Sequence, residues 1–216
     1  MTAMAIRTLD DLDAALTVDY KWRSTEMFLW ERLTGRSREL ERSALLRGGL
    51  ALVYAHWEGY IKTAGASYLE FVSRKGLTVG QLRPEIAAVA IRSRIAQLAA
   101  EKSPERHTEI VELIRGEANV SARVPYDSTT IRTNANLNFA TFESIMHSLG
   151  CSAHAHSAAR AHIDLRLLSC RNEIAHGRAQ FVDLEEWIEC RDVVERIMKD
   201  VRNQLSNSAA THAYLR

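Results

Sequence analysis

Proline and glycine are scarce, at 3 and 10 of 216 residues, too few breakers for a turn-rich sandwich or a run of short strands. Long apolar runs are missing as well. The longest, from Gly48 to Ala55, falls far short of the ~20 residues that cross a bilayer, so no membrane partner is expected. Cysteine is limited to Cys151, Cys170 and Cys190, odd in number and widely spaced. That argues against a disulfide framework or a CxxC pair and leads to the expectation of a reducing, cytoplasmic setting. An excess of one charge sign is absent too. A net charge of +1 argues against coating nucleic acid by bulk electrostatics, though not against a local phosphate site. The opening residues, interrupted by Arg7, Asp10, Asp11 and Asp13, do not read as a secretory signal.

What is present favours helices. Hydrophobic residues make up 46% and charged residues 25% of the chain, enough to bury a core rather than stay disordered. Ala, Leu, Arg and Glu, all good helix formers, are abundant. The expected architecture is an all-α bundle in one domain over residues 1–205, followed by a polar tail at 206–216. A first helix spans about 10–33, with Leu12, Leu16, Met27 and Trp30 among its apolar positions and Thr34-Gly35 as the break. A second runs over about 37–73, where Leu45, Leu46, Leu50, Val53, Trp57, Ile61 and Tyr68 recur at helical spacing. Gly48, Gly49, Gly59 and Gly65 inside it point to the close approach of another helix. Helices opening at Pro84 and Pro104 follow, the latter reaching Arg115 before Gly116. Residues 120–138 read as an irregular loop with a short strand pair. Helix returns at 139–149 and stops at Gly150. The last two helices cover about 156–176, ended by Gly177, and about 184–205, opened by Asp183 and Glu186 at capping-box spacing.

The penultimate helix carries Cys170-Arg171-Asn172-Glu173-Ile174-Ala175-His176-Gly177. Ile163, Leu167, Cys170 and Ile174 make its buried stripe. Arg160, Asp164 and Arg171 fall within ~40° of one another on an ideal helix, which places Asp164 to hold either arginine. His176 sits at the helix C-terminus, where unpaired carbonyls carry a partial negative charge that favours imidazolium. A guanidinium for phosphate charge and an imidazole for proton transfer are a minimal toolkit for cutting RNA. A base deprotonates the 2′-hydroxyl, its oxygen attacks the adjacent phosphorus, and a cation stabilises the pentavalent transition state. The RNA brings its own nucleophile, so this chemistry requires no cofactor and no metal. Arg171 and His176 are separated by about 7.5 Å of rise and ~140° of rotation. One straight helix does not aim both at one phosphate: either the helix end distorts or two chains share the site. Spacing alone also suits a solvated arginine and a capping histidine.

Residues 171–177 resemble the signature of the HEPN superfamily, all-α ribonucleases of defence and toxin systems: Arg, four to six residues, then His, with a polar residue after the Arg. Tyr54-Ala55-His56-Trp57-Glu58-Gly59 and Thr133-Asn134-Ala135-Asn136-Leu137-Asn138-Phe139 are similar to two further stretches of one HEPN-like nuclease branch from bacterial defence neighbourhoods. The three blocks come in the expected order within about 45–205. The resemblance implies an HEPN-like antiparallel helical bundle with an irregular insertion near 118–138. It also implies a metal-independent endoribonuclease whose paired motifs face each other across a homodimer. Arg171 and His176 would be the catalytic pair, and Asn172 would orient the phosphate or the histidine. Asp164 and Arg160, from the shared helix face, and Glu58, from its block, are the supporting candidates. Some members of the superfamily are inactive scaffolds.

Other readings compete. His154, His156 and His162 could form a zinc set, but the first two point ~160° apart on a helix and no nearby thiol or carboxylate completes them; surface histidines are the alternative. His56-Trp57-Glu58 reads as a catalytic group with a perturbed carboxylate, or as a core Trp57 beside a Glu58 paired with Lys62. Arg36, Arg38, Arg42 and Arg47 read as an RNA-tracking face or, interleaved with Glu39 and Glu41, as a solvated one. The arginine bias, 23 Arg against 5 Lys, suits phosphate binding and equally a GC-rich genome. Two function classes follow. One is an RNA-cleaving toxin or anti-phage effector that works as a homodimer on an RNA substrate. The other is a catalytically inactive helical module that binds an antitoxin or restriction-system partner.

Overall fold

The computed structural model describes residues 5–99, 103–116, 119–127 and 129–216. Its α-helices are, in chain order, α1 (Leu9–Arg36), α2 (Glu39–Ser73), α3 (Pro84–Ala99), α4 (Pro104–Gly116), α5 (Phe139–Ser148), α6 (Ser169–Ala175) and α7 (Leu184–Ala210). Among the described residues no strand forms. Isolated bridges join Thr78 to Ser121 and Leu82 to Leu215, and the strand pair expected within 120–138 does not form among the described residues of that segment. The fold is all-α, with the irregular segment between α4 and α5.

Three long helices make the frame, and side-chain pairs fix their directions. A capping box opens α1: Asp11 N–H donates to Thr8 Oγ1 at 3.1 Å while Thr8 N–H donates to the Asp11 carboxylate at 2.9 Å. Leu12, Leu16, Arg23, Met27 and Thr34 are its buried positions, at helical spacings of 4 and 7. Trp30 Nε1 donates to Leu45 O, His56 lies against Glu26, and Ile6 N–H donates to Glu70, so α1 and α2 are antiparallel. Asp13 meets Ser206, Tyr20 meets Glu195, and Glu31 meets Arg191. Thus α7 is antiparallel to α1 and runs alongside α2 in the same direction. With α1 and α7 on its flanks and α5 and α6 beyond, α2 is buried over much of its circumference, including Trp57, Tyr60 and Tyr68. Gly49 and Gly59 serve close approach. A Cβ at Gly49 would collide with the indoles of Trp30 and Trp187, and one at Gly59 would sit 2.5 Å from the Arg23 guanidinium.

Three expectations are corrected. Residues 206–216 are not a polar tail: α7 continues to Ala210, and the chain then folds back against the start of α3. There Tyr214, 3% exposed, stacks edge-on against Phe71. Arg83 N–H donates to Tyr214 O and Arg216 N–H to Gln81 O; a buried aromatic anchors an otherwise polar end. The helix expected over 156–176 is composite, with 3₁₀ turns at His154–Ala159, a π-helical stretch at His162–Leu168, and then α6. At α7, Asp183 does cap Glu186 N–H at 2.8 Å. The Glu186 carboxylate, however, accepts from Arg166 at 3.0 Å, leaving the capping box half made.

Candidate active site

Arg171 is the point where the structure gathers the three sequence blocks. It lies on α6, and its guanidinium carbon sits 3.8 Å from the centroid of the Tyr54 ring on α2, a cation–π contact. Nη1 donates to Asn172 Oδ1 at 2.8 Å and Nη2 to Ala135 O at 2.9 Å. Nη2 also stands 3.8 Å from Glu58 Oε2, one turn along α2 from Tyr54. Those two hydrogen bonds use two of the five N–H donors of a guanidinium. The side chain is 21% exposed, so the group is held yet reachable.

The loop ahead of α5 is shaped for this contact. Asn134 and Ala135 take left-handed backbone angles, φ of 54° and 52°, which turn the chain so that Ala135 O meets Arg171. On either side of that turn the loop is anchored. Thr133 Oγ1 donates to Glu58, Tyr54 Oη accepts from Leu137 N–H at 2.7 Å, and Trp57 Nε1 donates to Leu137 O at 3.1 Å. Asn138 then caps α5 through Thr141 N–H. Glu58 accepts from Lys62 Nζ at 2.7 Å as well. Burial works against its charge, but the hydrogen bonds from Lys62 and Thr133 and the Lys62 charge outweigh it and hold the carboxyl below its ordinary range. Burial pushes the Tyr54 hydroxyl up to about 12, so it stays protonated near neutrality.

His176 is the C-cap of α6 and Gly177 follows at φ +74°. Gly177 N–H donates to Ile174 O and Arg178 N–H to Glu173 O, each at 3.0 Å: a Schellman ending, with glycine in the left-handed place the sequence pattern predicts. His176 N–H still donates to Asn172 O at 3.0 Å, the α-helical bond, so the helix is regular between Arg171 and His176. The imidazole is exposed and makes no side-chain hydrogen bond with the described residues.

Asp164 and Arg160 go elsewhere. Asp164 holds neither arginine; its Oδ1 accepts Phe139 N–H at 2.7 Å, at the start of α5. Arg160 pairs with Glu143 at 2.7 Å and lies over the Phe139 ring at 4.8 Å. The physical reason is helical pitch: 3₁₀ and π turns carry about three and more than four residues each, so a 3.6-residue period does not set who shares a face across 160–171. Tyr54, Thr133 and Ala135 stand in the quoted blocks without an assigned part. The signal for Tyr54 is its register, since 54, 58 and 62 fall on one face of α2. His56, in the same block, faces away toward α1. It is 2% exposed, its Nε2 lies 2.9 Å from Glu26 Oε2 but out of line for a hydrogen bond, and burial lowers its pKa. Of the other histidines, His156 binds Asp200 at 2.7 Å, His162 lies 3.7 Å from Glu189, and His154 is exposed. No group of three His, Cys, Asp or Glu able to hold a metal occurs among the described residues.

An all-α bundle with an Arg–polar–x–x–x–His motif ending a helix against its longest helix defines the class. The chain matches the HEPN_MAE_28990-like HEPN family over residues 12–214, a span that holds all three blocks, and it belongs to that family. No curated protein and no solved structure matches it.

Proposed function

We propose that the protein is a metal-independent endoribonuclease of the toxin or anti-phage defence type, working as a homodimer. The observation that carries this reading is the pairing of an oriented Arg171 with an exposed, uncommitted His176 on one regular stretch of helix. Arg171 supplies charge to the scissile phosphate through its remaining donors, and Asn172 fixes its tilt. His176 exchanges the proton of the 2′-hydroxyl or of the leaving oxygen. Because the helix end is undistorted, ~140° of rotation separates the two groups. This supports a site built from Arg171 of one copy and His176 of another across a two-fold axis. Nucleophile and leaving group are both oxygens of the RNA, so products carry 2′,3′-cyclic phosphate and 5′-hydroxyl ends. The purified protein is expected to make such ends in excess EDTA and to lose the activity on His176→Ala. Metal-dependent cleavage or 3′-hydroxyl products would overturn the mechanism.

One observation favours a second reading, an inactive module that binds an antitoxin or restriction-system protein. Arg171 is engaged on several sides by Asn172, Ala135, Glu58 and Tyr54, as a structural arginine would be. Induced expression separates the two readings. A nuclease arrests growth and both single alanine variants, at 171 and 176, relieve the arrest; a scaffold gives the same growth with all three.

A further inference from the structure

A trough of about 450 Å³ runs along the outer face of α2. It is lined by Gly59 and Lys62, by Thr63, Ala66 and Ser67, by Glu70, whose carboxylate is paired with Arg74 at 2.7 Å, and by Tyr126 from the loop between α4 and α5. Its volume lies in the ~300–1,000 Å³ range of small-molecule sites. We propose that this trough is a nucleotide subsite, in which the base next to the scissile phosphate of a single-stranded RNA lies against Tyr126.

Three features support the assignment, which rests on the nuclease reading above. First, the trough starts beside the Arg171 cluster. Lys62 lines it and also binds Glu58 at 2.7 Å, and Glu58 faces Arg171 at 3.8 Å. Two cations therefore share one carboxylate, and an RNA backbone passing from Arg171 to Lys62 would find a second cation at the next phosphate. Second, the far wall is an aromatic ring with 39% of its surface open. The Arg74 guanidinium lies 5.8 Å from its centroid, and an aromatic backed by a cation is a common platform for a base. Third, one loop serves both places, lending Tyr126 to the trough and Thr133 and Ala135 to the Arg171 cluster. The floor is made of small side chains with hydroxyls from Thr63 and Ser67. A flat ring therefore meets little steric bulk and finds hydrogen-bonding groups at its edge.

The experiment uses full-length His176→Ala protein, so that binding is read without cleavage, and a fluorescein-labelled single-stranded RNA carrying 4-thiouridine. Binding is measured by anisotropy, and photo-crosslinks are mapped by mass spectrometry. Crosslinks on the peptide holding Tyr126 are expected. Tyr126→Ala should weaken binding about tenfold, the loss of roughly one base stack, while Tyr126→Phe keeps it. Thr63→Trp, which fills the trough from an exposed helix position, should weaken it as much. Melting curves establish that each variant is folded. If both blocking variants bind as tightly as their parent and crosslinks fall elsewhere, the subsite is wrong even where the wild type cleaves RNA. If the wild type neither binds nor cleaves RNA, both this inference and the nuclease reading fall together.

Discussion

Arg171 and His176 differ in how firmly the fold holds them, and substitutions should tell them apart. His176 is exposed and its ring bonds to none of the described residues, so His176→Ala should leave stability within about 0.5 kcal/mol while cutting RNA cleavage ~100-fold or more. Arg171→Ala should lose activity on a similar scale and also about 1 kcal/mol of stability, because Ala135 O and Asn172 lose a partner. Urea titration and a cleavage assay on the same samples check both. Equal destabilisation by the two variants would be evidence against this division. His56 sets a pH dependence. Burial holds its folded-state pKa below the unfolded value of ~6.5. The unfolded chain therefore binds the extra proton first, and the associated stability, full above ~6.5, is lost as pH falls toward the folded pKa. Urea midpoints should drop between pH 7 and 5 and flatten in His56→Gln; an unchanged slope in that variant would assign the titration to another group.

At the scale of helices, glycines that look alike in sequence do different jobs. A Cβ at Gly48 would meet Trp30 at an ordinary 3.5 Å, so Gly48→Ala should stabilise by up to ~1 kcal/mol through helix propensity. The neighbouring Gly49 has two indoles against it, and Gly49→Ala should instead cost about 1–3 kcal/mol from overpacking. Thermal melts of the two variants should move in opposite directions. Periodicity placed α2 and its core face, with Leu46, Leu50, Val53, Trp57 and Ile61 buried, because an α-helix of regular pitch makes spacing equal to direction. The same rule misplaced Asp164. Its stretch is π-helical, and no composition or spacing signal marks where a helix changes pitch to fit its neighbours.

The shared site proposed for the whole molecule makes a quantitative prediction. Mixing equal amounts of Arg171→Ala and His176→Ala chains, each inactive alone, should restore about a quarter of wild-type cleavage after subunit exchange: half the dimers are mixed and one of their two sites is intact. A mixture that stays inactive despite exchange, followed by mass photometry of tagged chains, would place both groups in one chain. The C-terminal return is also a whole-molecule feature. Removing residues 211–216 takes away a buried Tyr214 and should lower stability by about 2–3 kcal/mol. A truncated chain melting at the wild-type temperature would mean that the anchor contributes nothing.

Helical class, most of the helix limits, the glycine stop at 177 and the presence of the Arg–His motif follow from the sequence alone. Each depends on contacts within a few residues of one another, where propensity, period and capping chemistry act. What only the tertiary structure decided is which side chains meet. Tyr54, Glu58, Thr133 and Ala135 close around Arg171 across 36 to 117 positions of chain, while Asp164 and Arg160 turn to α5. Such meetings depend on helix directions, on two left-handed residues in a loop and on a local change of pitch. All three are settled by packing the core as a whole, which no short stretch of chain encodes.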